Sequence, residues 1–321
     1  MLLRVNIFNT SSNLPLLAAI ANGYFANRDL RIEVQNTPNS DEQRAGLAQG
    51  RFEIAHVAVD NAVAMKEAGN EVVIVSGGDA VMNDFMVRAE INSMQDLRGK
   101  LLAVDAPNTA YALAAKKILK LNGLLEHRDY GVKLAGGTGP RSAAMVADPQ
   151  LAAGMINPPF SFAVRERGLK TLGSQFDLLG PYQATGAFVM RPWAASHSYA
   201  LERYLSAYIE GHRHVLAPVN RQAMIALLTA SFRLSDSVAE GTYDALVKPG
   251  SGLAVDAAFN GQGFDNVLAI RAEMEGLWGG TPPAADKYTD LSFYSRALLS
   301  ANITNATNAT NTTDGVAPAS I

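Results

Sequence analysis

Residues 41–69, DEQRAGLAQGRFEIAHVAVDNAVAMKEAG, contain the pattern that decides the fold. The segment predicts a short helix over Asp41–Gln49, followed by a buried strand over Glu53–Val59. A second helix is expected over Asn61–Ala68, with Asp60 in position to cap its start. A buried strand between two helices, with glycines at the helix ends, is typical of α/β proteins.

The same alternation extends outward in both directions. Further strands are predicted at Leu2–Phe8, Arg31–Gln35, Glu71–Ser76, Phe85–Arg88, Lys100–Asp105, Val132–Ala135, Ala153–Ile156 and Gly186–Met190. Beyond them the chain predicts helices without intervening strands, at Ser198–Leu216, Arg221–Ser231, Asp236–Leu246 and Phe264–Leu277. The pattern indicates parallel sheets, whose ligands bind beyond the carboxyl ends of the strands.

The composition narrows the classes of function. The chain has 321 residues, and single cores stop growing at roughly 250–300 residues, so we expect two lobes. The formal net charge of −3 provides no basic surplus for nucleic acid. The absence of cysteine excludes disulfides, thiolate nucleophiles and cysteine-ligated metals. We expect no cofactor, and a monomer or weak dimer.

The N-terminus and the hydropathy pattern bear on localisation. No apolar run approaches the ~20 residues of a membrane span. Met1–Arg4 leads directly into a strand, without the apolar core of a signal peptide. We therefore expect the protein to be cytoplasmic if this is the full chain, or exported if a signal peptide has been removed from it.

Four segments occur in the order in which one known family has its motifs. The segments are Asn13–Val34, Leu47–Ala58, Met94–Val104 and Leu151–Phe160. The second segment, LAQGRFEIAHVA, is similar to the L-x-x-G-x-x-D-(I/V)-A strand of that family, and the third, MQDLRGKLLAV, is similar to the family's entry into a second lobe. Together they resemble the nitrate/sulfonate/taurine substrate-binding family of ABC transporters, in the thiamine-pyrimidine synthase-like superfamily. The resemblance implies an α/β, two-lobed type II periplasmic-binding-protein (Venus flytrap) fold with mixed sheets and two crossing strands.

The resemblance also implies how the chain is divided. Lobe one would comprise residues 1–84 and 190–300, and lobe two residues 85–189, with crossings near Asp84–Arg88 and Gly186–Met190. Residues 301–321 are rich in Asn and Thr and are predicted to be disordered. Their Asn-x-Thr sequons would accept glycans only in a eukaryotic secretory pathway, and a flexible polar tail is the alternative; the sequons begin at Asn302, Asn305, Asn308 and Asn311.

The candidate ligand-binding residues lie at helix starts and strand ends. Free N–H groups and the positive end of the helix dipole attract anions there. The alternative interpretation for the Ser, Thr, Asn and Asp residues is ordinary helix capping. The candidates are Asn9, Thr10, Ser11, Asn13, His56, Asp60, Asn61, Asn108, Thr109, Tyr111, Gly137, Thr138, Arg141, Asn157 and Phe160, with Gly77, Gly78 and Asp79 on a further loop.

Two of these candidates have sharper alternatives. Arg141 follows the glycine-rich turn 136–139, and is either a cationic clamp for an anion or a solvated surface arginine. His56 is either a buried histidine bonded to neighbouring backbone or an acid/base in the cleft. His212 and His214 lie two residues apart on a predicted helix and do not face one site together, so we expect no metal site.

Three functions remain open from the sequence. The leading hypothesis is reversible binding of a small polar or anionic organic solute for delivery to a membrane permease complex. The alternative is a cytosolic enzyme on the same scaffold that acts on a small metabolite, with His56 as its acid or base; no catalytic motif is recognisable. A third is a ligand-sensing module.

Overall fold

A computed structural model of the chain describes residues 1–80 and 82–313, and its strands form two five-stranded sheets. The strands are β1 (Leu2–Ile7), β2 (Arg31–Asn36), β3 (Ile54–Ala58), β4 (Val72–Gly78), β5 (Asp84–Val87), β6 (Leu101–Val104), β7 (Gly131–Leu134), β8 (Leu151–Ile156), β9 (Lys170–Ser174) and β10 (Thr185–Met190). Their order is β2-β1-β3-β10-β4 in the first sheet and β7-β6-β8-β5-β9 in the second.

Thirteen α-helices connect and cover the strands in the described part of the chain. They are α1 (Leu14–Ala21), α2 (Ser40–Ala48), α3 (Asp60–Glu67), α4 (Ala110–Leu121), α5 (Thr138–Ala147), α6 (Phe160–Arg165), α7 (Gln175–Leu179), α8 (Arg191–Ser196), α9 (Ser198–Leu216), α10 (Arg221–Phe232), α11 (Asp236–Leu246), α12 (Gly261–Glu275) and α13 (Ser292–Thr313). We call the first sheet with its helices lobe one and the second sheet with its helices lobe two.

Both sheets are mixed, and in each sheet the antiparallel strand lies next to a point where the chain crosses between the lobes. Strands β1, β2 and β3 are parallel, whereas β10 is antiparallel to β3 and β4. In the second sheet β6, β7 and β8 are parallel, and β5 is antiparallel to β8 and β9. This arrangement confirms the predicted two-lobed α/β fold with mixed sheets.

The core of lobe one lies on both faces of its sheet. Val73 and Val75 face one hydrophobic cluster, with α1 and α9, whereas Val72 and Ile74 face another, with α3 and α12. This division follows from the two-residue period of a strand, which sends successive side chains to opposite faces. A continuous run of β-branched residues therefore predicts a strand that is covered on both faces.

The return crossing from lobe two lies earlier than the sequence predicts. Strand β10 begins at Thr185 and pairs with β3 and β4, so residues 185–189 belong to the first sheet rather than to lobe two. The crossing consequently runs between Leu179, the end of α7, and Thr185. The outward crossing runs between Gly78 and Asp84, just before the predicted Asp84–Arg88, and the remaining lobe boundaries stay predictions.

The C-terminal helix α13 extends into the segment predicted to be disordered. Residues 301–313 continue α13, and residues 314–321 lie outside the described residues. Phe293, Ala297 and Ala301 are buried in the lobe-one core, and Arg213 Nη2 donates to Asn302 Oδ1 at 2.6 Å. Because propagation of a packed helix avoids the cost of nucleation, the Asn- and Thr-rich sequence can continue it.

None of the described helices is by itself long and apolar enough to cross a membrane. One pair, Ser198–Leu216 with Pro218–Phe232, passes that test together by length and composition but is bent by 76°.

Candidate functional site

A cavity lies between the two lobes, and its volume is about 650 Å³ when the space open to solvent is included. Its lobe-one lining comprises Phe8, Thr10, Ser40, His56, Val57, Ala58, Asn61 and Thr185. Its lobe-two lining comprises Ala103, Val104, Asp105, Thr109, Ala110, Tyr111, Ala112, Gly137, Thr138, Arg141, Met155 and Asn157. Most of these residues follow strands or begin helices, which is where the sheet topology places a ligand.

The lobes contact each other around the cavity. Ser11 Oγ donates to the carbonyl oxygen of Pro158 at 2.8 Å, and this bond is buried. The backbone N–H of Gly137 donates to the carbonyl oxygen of Pro38 at 3.3 Å. A Cβ on Gly137 would lie 3.1 Å from the Phe8 ring, so glycine permits this close approach. The structure therefore shows the cleft closed.

Two helices begin at the cavity without a side-chain cap. Thr109 precedes α4, but its hydroxyl donates to the carbonyl oxygen of Ala106 at 3.0 Å rather than accepting from the helix. Gly137 precedes α5 and has no side chain to cap it. Capping by Thr109, one of the two predicted possibilities, is therefore wrong. Because the first N–H groups of a helix lack intrahelical acceptors, these two starts can donate to a bound acceptor group.

Arg141 is buried rather than solvated, with 2% of its surface exposed. Its guanidinium donates to the carbonyl oxygens of Gly136 (2.7 Å from Nη1) and Met155 (2.9 Å from Nη2), and to Thr138 Oγ1 (3.2 Å). Its Nε also donates to the carbonyl oxygen of Met155, at 3.1 Å. Four of the five N–H groups of the guanidinium are thus bonded, and one Nη1 hydrogen is without an acceptor among the described residues. The surface interpretation is wrong. Arg141 holds the glycine-rich turn in place and brings a positive charge to the cavity wall.

Asp105 is a charged cavity residue that was not among the predicted site residues. It directly follows β6 and lines the cavity. Its Oδ2 accepts from Ser40 of lobe one, at 3.2 Å from the backbone N–H and 2.7 Å from Oγ. Its Oδ1 is buried and has no hydrogen-bond partner among the described residues. An acidic residue at the carboxyl end of a parallel strand was the available signal.

His56 is buried, with 3% of its surface exposed, and it lines the cavity. Its ring packs against Tyr208, with 4.3 Å between centroids, and Nε2 has no hydrogen-bond partner within the described structure. Burial, and secondarily His212, lowers the pKa of His56 to about 3. The imidazole is therefore neutral near pH 7, and a ring with this pKa is a weak general base there.

Asn157 and Tyr111 complete the buried polar wall of lobe two. Asn157 is 5% exposed, and its Oδ1 lacks a partner among the residues described. Burial raises the pKa of the Tyr111 phenol well above its ordinary value, so the hydroxyl stays protonated. Both side chains can form uncharged hydrogen bonds with a ligand.

The two chain crossings meet beside the cavity at Asp79. Its Oδ1 accepts from the backbone N–H of Thr185 at 2.7 Å and also from the Thr185 hydroxyl. Burial raises the pKa of Asp79 to about 6. Asp79 belongs to a loop that was predicted to lie at the site. Its hydrogen bonds connect the two chain crossings instead, and of this pair Thr185 lines the cavity.

The structure brings together nine of the eighteen predicted site residues. Those lining the cavity are Thr10, His56, Asn61, Thr109, Tyr111, Gly137, Thr138, Arg141 and Asn157. Their contact with a ligand stays a prediction. Besides Gly77, Gly78 and Asp79, six others lie outside the lining: Asn9, Ser11, Asn13, Asp60, Asn108 and Phe160.

Each of these six has a different environment. Asn9 and Asn108 are exposed, and the Asn108 carbonyl oxygen accepts from Arg271. Asn13 Nδ2 donates to the carbonyl oxygen of Phe8 at 2.8 Å, and Ser11 bonds Pro158 as described above. The two remaining residues are Asp60, which is 1% exposed and paired with Arg271, and Phe160, which packs in the lobe-two core.

Within residues 1–80 and 82–313, no group of three or more His, Cys, Asp or Glu side chains is arranged to hold a metal ion.

Three solved structures illustrate the class of protein that has this architecture. The ligand-binding component of an ABC-type import system from Staphylococcus aureus, with zinc bound, is 14% identical with a TM-score of 0.78, over 92% of this chain and 99% of that chain. The alkanesulfonate-binding protein SsuA from Xanthomonas axonopodis pv. citri, bound to MOPS, is 17% identical with a TM-score of 0.72, over 89% and 97%. The periplasmic nitrate-binding protein NrtA from Synechocystis PCC 6803 is 12% identical with a TM-score of 0.75, over 93% and 88%.

The chain therefore has the two-lobed fold of type II periplasmic binding proteins. Residues 10–148 match the family described as NMT1/THI5 like. This match and the shared fold confirm the resemblance that the sequence motifs indicated. No curated protein sequence matches the chain.

Proposed function

We propose that this protein binds a small polar or anionic organic solute between its lobes, as the substrate-binding component of an ABC-type importer. The observation that carries the proposal is the cavity of about 650 Å³, which is built from both lobes and lined by uncommitted polar groups.

The polar groups of the cavity support a solute with an acceptor or anionic group. The uncapped starts of α4 and α5 offer N–H donors, and Arg141 adds a positive charge. His56 and Asn157 each contribute a buried atom without a partner among the described residues, and such atoms are costly unless a ligand or water satisfies them.

The similar structures support the wider role. The proteins from Staphylococcus aureus, Xanthomonas axonopodis and Synechocystis are a component of an import system, an alkanesulfonate-binding protein and a nitrate-binding protein, respectively. By analogy, the partner of this protein would be a membrane permease complex, which would receive the solute when the lobes open.

A ligand screen tests the proposal. The purified protein is heated with a panel of carboxylates, sulfonates, phosphonates, nitrate and amino acids, and hits are measured by titration calorimetry. A solute of the proposed class raises the melting temperature, because it binds only the folded state. Failure of every member to shift the melting temperature at millimolar concentration would overturn the proposed function.

Two glycine variants localise the binding. In Gly137→Ala the new Cβ meets the Phe8 ring at 3.1 Å and the Pro38 carbonyl oxygen at 3.2 Å, so closure is obstructed and affinity should fall at least tenfold. Gly261→Ala is the matched control, because a Cβ there has no neighbour within 4 Å. Equal affinities of the two variants would place binding outside this cavity.

A further inference from the structure

Asp79 is a buried carboxylic acid at the point where the two chain crossings meet. It follows β4 on the outward crossing, and it is 3% exposed. Its Oδ1 accepts from the backbone N–H of Thr185 at 2.7 Å and from the Thr185 hydroxyl, and Thr185 begins β10 after the return crossing. Its backbone carbonyl oxygen accepts from Gln183 Nε2 at 3.2 Å and from the N–H of Ala184 at 3.3 Å. The carboxyl group is therefore held against both crossings.

Hydrogen bonds supply Asp79 with donors, but no cation balances its charge among the described residues. Burial raises the pKa of Asp79 to about 6, and the hydrogen bonds from Thr185 oppose that effect only in part. Asp84, at the other end of the outward crossing, differs because Arg165 Nη2 donates to its Oδ2 at 2.7 Å. A buried carboxylate without a cation is unfavourable, so Asp79 takes up a proton more readily than an exposed aspartate.

The titratable side chains that face Asp79 in the described structure stay uncharged between pH 5 and pH 7.5. Tyr208 of α9 and Tyr111 of α4 interact electrostatically with Asp79, and burial, followed by Asp79 itself, raises the pKa of both phenols above the ordinary value. His56 and His212 pack against the Tyr208 ring, and burial lowers their pKa values to about 3 and about 4. Residues without a titratable side chain make further contacts: Ser12, Gln183, Ala184, Thr185 and Leu253. Asp79 is therefore the group of this cluster whose charge changes in that range.

The charge of Asp79 acts on the cavity through two lining residues. Thr185 lines the cavity and bonds the carboxylate directly, and Tyr111 lines it from lobe two. Because Asp79, after burial, raises the pKa of Tyr111, it disfavours a negative charge on the phenol oxygen. An anionic solute at the same wall would meet the same repulsion, which a buried site screens less than water does. The formal charges of Asp105 and Arg141 in the described lining cancel, so an ionised Asp79 leaves the surroundings of the cavity with a net negative charge.

Given the proposed function, we propose that protonation of Asp79 controls the binding of an anionic solute: the neutral acid admits the anion, and the carboxylate opposes it. An anion in the cavity would raise the pKa of Asp79 further above 6, so binding takes up a proton. The affinity for the anion therefore increases as the pH falls through 6. If only the protonated form bound the anion, the affinity would change about 30-fold between pH 7.5 and pH 5, which is the ratio of the protonated fractions.

The pH dependence of binding tests this control in the wild-type protein. Titration calorimetry is performed between pH 5 and pH 7.5 with nitrate and with the sulfonates of the screen, because anions of strong acids keep their charge throughout. For the anions that bind, the affinity should rise at least about fivefold from pH 7.5 to pH 5, and titrations at pH 6.5 in two buffers of different ionisation enthalpy should show net proton uptake. An affinity that is constant or falls towards pH 5 overturns the inference and leaves the proposed function intact. Binding of other solutes of the screen but of none of these anions has the same consequence, whereas absence of binding by every solute overturns both.

Two aspartate variants assign the effect to Asp79. Asp79→Asn keeps an oxygen that can accept from Thr185 but cannot become charged, so at pH 7.5 it should bind the anion as wild type does at pH 5, without pH dependence or proton uptake. Asp84→Asn is the matched control and should keep the wild-type pH dependence, because Asp84 lies on the same crossing but is paired with Arg165 and does not line the cavity. A wild-type pH profile in Asp79→Asn contradicts the proposal. Near-UV circular dichroism checks that both variants fold, and the proton uptake of the wild-type protein decides the question if one does not.

Discussion

Arg271 and Arg141 are both nearly fully buried, at 3% and 2% exposure, but their charges are balanced differently. Arg271 Nη1 lies 2.7 Å from Asp60 Oδ1, and Arg271 Nη2 lies 2.8 Å from Glu275 Oε2. Arg141 donates to two backbone carbonyls and to Thr138 instead. Burial acts to lower the pKa of each guanidinium. Asp60 and Glu275 reverse that effect at Arg271, whereas the pKa of Arg141 falls to about 10 despite the nearby Asp105.

This difference teaches that burial alone does not mark a functional arginine. Asp60 and Glu275 balance the charge of Arg271, and Asp60 does not line the cavity, so the Arg271–Asp60 pair holds α12 against the start of α3. The charge of Arg141 is incompletely balanced, and Arg141 lines the cavity. A buried charge that its neighbours balance only in part is the more informative sign of a ligand site.

The largest expected effect is on the buried Arg271–Asp60 pair. Arg271→Met leaves Asp60 and Glu275 without their cation, and breaking a buried pair by removing one partner costs roughly 3–5 kcal/mol. Urea denaturation should show this loss in the free energy of unfolding. Arg203→Met is the control, because its partner Asp29 is 95% exposed, and surface pairs contribute about 0–1 kcal/mol. A loss below about 1 kcal/mol for Arg271→Met would show that the pair is not structural.

The second prediction tests whether His56, in the lobe-one wall of the cavity, is uncharged near pH 7. The pKa of His56 is about 3 in the folded protein, against an ordinary histidine pKa of 6.5 in the unfolded chain, so below pH 6.5 the unfolded state binds more protons. Stability from this residue is complete above pH 6.5 and declines as the pH falls towards 3. Between pH 7 and pH 4, wild type should lose about 3 kcal/mol more than His56→Gln. Parallel pH profiles of the two proteins would mean that His56 is solvated.

The third prediction concerns the incompletely balanced arginine. Arg141→Lys keeps the charge but loses the planar fork that bonds Gly136, Met155 and Thr138, so the cavity wall is no longer held in place. Solute affinity should fall about 10- to 100-fold by titration calorimetry, with the best solute of the screen. Arg98→Lys, at an exposed arginine that does not line the cavity, should bind normally. Wild-type affinity in Arg141→Lys would remove Arg141 from the binding site.

The fold was predictable because its determinants are local. Buried strands such as β1 and β4 are recognisable as apolar runs between helices. Strand β9, Lys170–Ser174, was missed because it is a partly exposed edge strand without an apolar run. The extension of α13 was missed because it depends on packing of its first half against α9, which composition does not report.

The site was only partly predictable because its decisive contacts are non-local. Asp60 resembles a helix cap in sequence, but its partner Arg271 is 211 residues away. Asp105 bonds Ser40, which lies 65 residues earlier and in the other lobe. Strand ends and helix starts indicate the edge of the sheet at which a site forms. They do not indicate which polar side chains are satisfied by the protein and which are left for a ligand.

The smallest expected effect is at an exposed set of salt bridges between the lobes, which we call the seam and which joins Glu273 to Lys117 and Lys120. Glu273 of α12 lies 2.5 Å from Lys117 Nζ and 2.9 Å from Lys120 Nζ, both on α4 of lobe two. Because exposed pairs contribute at most about 1 kcal/mol, Glu273→Gln should weaken solute binding by no more than about fivefold, and the difference should shrink at high salt. Glu202→Gln, which loses a pair with Arg296 inside lobe one, should not alter affinity. If Glu273→Gln instead weakened binding more than Arg141→Lys, closure would be governed by the seam, and the contrast between fully and partly balanced buried charges would not locate the site.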